Sequence, residues 1–137
     1  MWYTYALLSA LFAALTAIFA KVGVKDVNSD LATAIRTVVI LIIAWLIVFA
    51  RGSITSTTTL TKTNWIFLSL SGVATGLSWI FYFKALQLGK VSQVAPVDKL
   101  SVALAIILAV VFLKEALTIK AAIGAILIIA GTITLIL

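Results

Sequence analysis

The stretch LATAIRTVVILIIAWLIVFA, residues 31–50, holds a single charged side chain, Arg36, and neither Gly nor Pro. A run of that length and composition matches the roughly 20 residues with which an α-helix crosses the hydrocarbon core of a bilayer. Outward from it lie four more runs of the same kind, at about 2–20, 65–88, 91–113 and 121–137. The chain is 64% hydrophobic and only 10% charged, where a soluble domain averages about a quarter charged residues. Its mean hydropathy is +1.30. The sequence therefore predicts an all-α membrane protein of five transmembrane helices.

The gaps are short, so the five helices are expected to form one antiparallel up-and-down bundle over residues 1–137, a single membrane domain without a soluble appendage. The first run has no basic residue ahead of it, the first lysine being Lys21, and it is longer than the apolar core of a secretory signal; it is read as an uncleaved helix. Asn28, Ser29 and Asp30 supply side-chain acceptors for the free N–H groups opening the second helix, and Thr118 can do the same for the fifth. Trp2 and Trp65 stand where amphipathic indoles favour the membrane boundary. The longest gap, Arg51 to Asn64, is rich in Ser and Thr and is expected to be a solvated loop.

Several chemistries are set aside. With no Cys and no His, disulfides, thiol chemistry and the commonest zinc sites have no ligands, so no metal or cofactor is expected. The net charge of +6 is not gathered into a basic cluster, which argues against nucleic acid. Gly89-Lys90 lacks the phosphate-binding Walker pattern, and no nucleophile stands beside a recognisable base. An enzyme is not expected.

Basic residues near span ends orient membrane proteins, positive side inward. One face receives Arg51, Lys62, Lys114 and Lys120, and the other Lys21, Lys25, Lys90 and a snorkelling Lys84. Four against three or four gives no preferred orientation. An odd number of spans without charge bias suggests a chain that inserts both ways, two copies pairing head to tail as an inverted repeat. The alternative is one orientation fixed by some other signal.

A charge at the centre of a membrane helix costs about 2.5–3.5 kcal/mol even on the lenient insertion scale, so Arg36, Lys84, Asp98 and Lys99 need explaining. Lys84 is near enough to a helix end to snorkel. Asp98 and Lys99 follow Pro96 about two turns into the fourth helix. Pro96 removes a backbone donor and is expected to kink or loosen the helix where the charges sit. Two readings stay open for the charges: a structural ion pair, with Asp98 held by Arg36 or by Lys99 of a neighbouring helix, or a ligand site. Arg36, Asp98 and Lys99 sum to one excess positive charge, which favours an anionic or zwitterionic ligand.

Ser71, Thr75, Ser78 and Tyr82 recur at i, i+4, i+7 and i+11 on the third helix, and Tyr5, Ser9 and Thr16 echo them on the first. With the charges, they suggest an aqueous cavity lined by helices one to four, in which Trp79, Tyr82 and Phe83 offer stacking surface. Gly72 and Gly76 form a GxxxG pair, and Gly124 and Gly131 share a face of the fifth helix; these are expected packing positions.

These residues resemble the EamA-like half of the drug/metabolite transporter superfamily over essentially the whole chain. The matching segments are Ala34-Ile35-Arg36, Tyr82-Phe83-Lys84-Ala85-Leu86, Ala95-Pro96, and Phe112-Leu113-Lys114-Glu115 followed by Gly124 and Gly131. Lys114 departs from the Gly usual before that Glu. Asp98-Lys99-Leu100-Ser101 looks like a mark of the small single-repeat members. Larger members carry two inverted five-helix repeats around a central cavity, so the resemblance implies one half of such a fold. It further implies an antiparallel homodimer in the cytoplasmic (inner) membrane, moving small organic metabolites by alternating access. Substrate-binding candidates are Arg36, Lys99, Ser71, Thr75, Ser78, Trp79, Tyr82 and Ser9, with Asp98 as ion-pair partner or proton carrier. A non-transporting accessory subunit, a half-transporter paired with a paralogue, and a flippase of a lipid-linked substrate are the alternatives.

Overall fold

The computed structural model describes residues 1–137 apart from the side chain of Ser56. Its helices are α1 (Trp2–Gly23), α2 (Ser29–Ala50), α3 (Lys62–Leu88), α4 (Val91–Asp98), α5 (Leu100–Phe112) and α6 (Ile119–Ile136), with a 3-10 helix η1 (Ser53–Thr59) between α2 and α3. α4 and α5 together make one span, Val91–Phe112, so five helical segments are long and apolar enough to cross a membrane. Among the described residues there is no strand.

Helix ends fall where local chemistry can close them. Asn28 Oδ1 accepts from the backbone N–H of Asp30 at 2.8 Å and of Leu31 at 3.2 Å, which starts α2 two residues before the apolar run. Thr118 Oγ1 accepts from the Ala121 N–H at 3.1 Å and starts α6 at Ile119. α3 begins at Lys62, three residues ahead of Trp65, because Thr61 Oγ1 accepts from the Asn64 N–H at 3.2 Å. α1 runs past Ala20 to Gly23, carrying Lys21 as a helical residue.

The Ser/Thr-rich gap is not all loop. Gly52 leaves α2 with a φ of 64°, and residues 53–59 then wind into η1, which packs back on α2. Within it Thr57 Oγ1 donates to Ile54 O at 2.7 Å and Thr58 Oγ1 to Thr55 O at 2.8 Å. Hydroxyls that bond back to their own turn suit the tighter helix, and no apolar periodicity announces it.

The chain packs as two compact units, Ala20–Gln87 and Met1–Phe19 with Leu88–Leu137. In the first, Gln87 Nε2 near the end of α3 donates to Val24 O at 3.0 Å and to Val27 O, and Lys21 Nζ donates to Leu86 O. These bonds tie the α1–α2 connection to the end of α3 around the buried Val24 and Leu86. In the second, α6 packs against both α4 and α5, with Ala103 and Thr132 buried. Much of the remaining apolar surface is uncovered, including Phe12, Val73, Leu104 and Ile126. In hydrocarbon such a surface carries no penalty, because lipid tails solvate it as well as another side chain would.

Candidate functional site

Two places in the structure hold charge at membrane depth. In the unit Ala20–Gln87, Arg36 lies seven residues into α2, about 10 Å along the helix from Ser29. Trp79 and Phe83, four apart on α3, lie on one face of that helix. The Arg36 guanidinium carbon lies 4.5 Å from the Trp79 ring centroid and 5.0 Å from that of Phe83, whose side chain is fully buried. Among the described residues of this unit no carboxylate pairs with Arg36. The rings therefore carry the cation, each such contact supplying about 0.5–1 kcal/mol at the surface and about 2 when desolvated. Arg36 is half-buried, and a flat guanidinium stacked on rings still directs its N–H groups outward along its edge. Trp79 and Phe83 were both expected as stacking surface; that Arg36 is the cation stacked on them was not legible, because it depends on how α2 packs against α3.

The second place is the junction of α4 and α5. Pro96 does loosen the span, but by a single residue: α4 ends at Asp98, α5 begins at Leu100, and Lys99 between them keeps right-handed helical dihedrals, φ −70° and ψ −10°. The Lys99 N–H reaches Ala95 O at 3.3 Å and Pro96 O at 3.1 Å, and the Val102 N–H takes Lys99 O at 3.0 Å. Pro96 O also accepts from Thr132 Oγ1 of α6 at 3.2 Å. A buried hydroxyl thus gives Pro96 O a second donor beside the Lys99 N–H, and α6, which the sequence marked only as an apolar packing helix, contributes it.

Lys99 Nζ lies 3.3 Å from Asp98 Oδ2, an ion pair between adjacent residues of one chain. Both side chains face outward, Lys99 being 57% and Asp98 34% exposed. One 3.3 Å contact leaves Asp98 Oδ1 and the other ammonium protons without a partner among the described residues. Two charges on an open helix face about 11 Å into a span are the costliest feature of the chain.

The hydroxyl stripe behaves more modestly. Thr75 Oγ1 donates to Ser71 O at 2.8 Å, bonding back to its own helix as threonines in apolar helices do. Ser71, Ser78 and Ser9 are exposed, and Tyr82 is half-buried. A Cβ built on Gly72, Gly76, Gly124 or Gly131 would meet no atom within 4 Å among the described residues, so these backbones are open to the approach of another helix. A cavity of about 420 Å³ opens beside the α1–α2 connection, lined by Lys21, Val24, Lys25, Asp26, Val27, Leu86 and Gln87.

A family model of EamA-like transporters matches residues 1–137, the whole of the sequence with its charged fourth span. The chain belongs to the EamA-like transporter family. It is 52% identical over 134 residues to a Sinorhizobium protein named "Uncharacterized transporter in cobO 3'region", covering 98% of this chain and 95% of that one. No solved structure matches the chain. Family and relative support a membrane transporter rather than an enzyme, and the five apolar helices make this EamA-like chain a multi-pass membrane protein. At Lys114, where the resemblance set lysine against an expected glycine, φ is 55°, a left-handed conformation that glycine adopts freely and lysine does not.

Proposed function

We propose that this EamA-like chain is a secondary active transporter of small organic metabolites carrying an anionic or zwitterionic group, amino-acid-like compounds among them. On this reading it works by alternating access in the cytoplasmic membrane as an antiparallel homodimer, each copy one five-span domain and one half of an inverted repeat. The observation that carries it is the exposed Asp98–Lys99 pair at a loosened point of a membrane span. Intramembrane ionisable groups that stay exposed within their own chain mark substrate paths or partner contacts.

Arg36 and Lys99 are the two cations assigned to draw the substrate's negative group. Ser9, Ser71, Thr75, Ser78 and Tyr82 are assigned its polar remainder, and Trp79 acts by steadying Arg36. Asp98 orients Lys99 in one state and carries a coupling proton in the other. Family membership supports transport, while the substrate class rests on the excess of cations over carboxylates at these positions. The test is reconstitution of the full chain in liposomes loaded with a metabolite panel. Flux of a carboxylate-bearing solute that Lys99→Ala abolishes while the dimer persists supports the assignment; flux unchanged by that substitution sinks it. Gradient-driven accumulation lost in Asp98→Asn, with exchange retained, supports proton coupling. A wild-type chain that is inactive and unstable alone but rescued by a co-purifying membrane protein points instead to an accessory subunit.

A further inference from the structure

We propose that the Asp98–Lys99 dipeptide is the centre of the contact between the two copies, Lys99 of each bonding to Asp98 of the other around the two-fold axis. The inference rests on the antiparallel homodimer just proposed and names the surface that forms it.

The argument begins with what the pair lacks. Asp98 and Lys99 are adjacent, opposite in charge and exposed, and their mutual contact uses one carboxylate oxygen and one ammonium proton. An adjacent plus–minus pair is self-complementary: a second copy turned about a two-fold axis sets each charge against its opposite. The four charges then close into a neutral ring, which a lipid tail cannot provide. Depth agrees with this. Asp98 and Lys99 lie seven and eight residues after Val91, about 11–12 Å into a core about 30 Å thick, so they stop about 3–4 Å short of the mid-plane. A shift of each copy by that 3–4 Å along the membrane normal brings Asp98 of one level with Lys99 of the other.

The neighbouring residues fit the same register. Val91, Ala95, Lys99, Val102 and Ile106 follow one helical stripe. When Asp98 of one antiparallel helix faces Lys99 of the other, Ala95 falls opposite Val102 and Val91 opposite Ile106, small against large at the inner pair. α6 covers a different side of this span, where Ala103 is buried and Pro96 O accepts from Thr132. Lys99 and Val102 at the middle of the stripe are exposed, Val102 to 41%, and Val91, Ala95 and Ile106 are half-buried.

The experiment is a charge swap read as dimerisation in detergent and in nanodiscs, with no substrate present. Asp98→Lys copies carry two adjacent cations, and Lys99→Asp copies two adjacent anions. Each variant alone should lose self-association by at least about tenfold in Kd, because like charges meet at the axis. Co-expressed with different tags, the two variants should pair with each other about as tightly as wild type pairs with itself. A single variant that fails to accumulate in the membrane still reports: recovery of both on co-expression supports the contact, and failure to recover overturns it. Either variant dimerising alone as wild type does overturns the contact and leaves the homodimer standing. A wild-type chain that is monomeric under all conditions overturns the homodimer reading and this contact with it.

Discussion

Replacing Arg36 with leucine should leave stability unchanged or raise it slightly while abolishing transport. Leucine keeps an apolar stem of similar length on α2 and removes the charge. Two ring contacts, at 4.5 and 5.0 Å on a half-buried guanidinium, supply about 1 kcal/mol each and about 2 together. Against that stands the insertion cost of an arginine, about 2.5–3.5 kcal/mol at helix centre and less toward the ends. The two nearly cancel, so Arg36→Leu should change unfolding free energy by between zero and about 1 kcal/mol in the stabilising direction. Trp79→Leu in the wild-type background strands the cation and should cost about 1 kcal/mol beyond its lost packing. In the Arg36→Leu background that extra cost disappears, giving a coupling energy of about 1 kcal/mol in the double-mutant cycle. The assay is reversible unfolding in mixed micelles by denaturing detergent, run beside flux per folded protein. An Arg36→Leu chain destabilised by more than about 1.5 kcal/mol with full flux would refute the reasoning, since Arg36 would then be a structural residue.

Thr132→Val removes the hydroxyl that bonds Pro96 O and should lower stability by about 0.6–1 kcal/mol in the same unfolding assay; no change would mean the α4–α5 junction does not depend on it. Lys114→Gly relieves a left-handed lysine and should raise the midpoint of unfolding by an amount worth about 1 kcal/mol, and a fall would show that the lysine's own contacts outweigh its backbone strain. Gln87→Leu deprives Val24 O and Val27 O of their side-chain donor and should cost about 1–2 kcal/mol, read together with faster proteolysis of the α1–α2 connection. The chain has no cysteine, which makes introduced cysteines easy to read. Mixed copies carrying Ala95→Cys and Val102→Cys should cross-link with each other and not with themselves, and self-linked products alone would indicate parallel copies.

The five spans were legible because hydropathy is a one-dimensional signal, and where a cap residue preceded a run, as Asn28 and Thr118 do, the start was legible too. Thr61 was missed as a cap because Thr61-Lys62-Thr63-Asn64 reads as more of the polar gap. η1 was missed because a 3-10 turn of threonines buries no face and so leaves no periodicity. At the charged positions the sequence gives depth but not direction. It placed Asp98 and Lys99 two turns in, yet whether they face the chain's own helices or look outward depends on packing. Arg36 shows the same limit: its open partners were a carboxylate or a ligand, and the stacking of two rings on its guanidinium is decided by the pairing of α2 with α3. Glycine patterns have a related limit, since an open backbone at Gly72 and Gly76 permits an approach without naming the helix that makes it.

The chain settles nearly every polar group it can reach locally. Arg36 has its rings, Pro96 O has Thr132, and the carbonyls of Val24, Val27 and Leu86 have Gln87 and Lys21. The exposed charges of the fourth span stand apart from that economy, and membrane helices do not hold such charges outward without a use for them. In the proposed dimer, balanced flanking charge, four basic residues against three or four, is the link, because a chain that inserted both ways would deliver inverted copies to the same membrane. Such a copy would turn an adjacent acid and base into a closed ring. On that argument, adding two lysines to one face of the chain should fix its orientation, deprive it of inverted partners and silence transport. Co-expression with a copy biased the opposite way should bring flux back, and flux from a singly oriented population would separate charge balance from function.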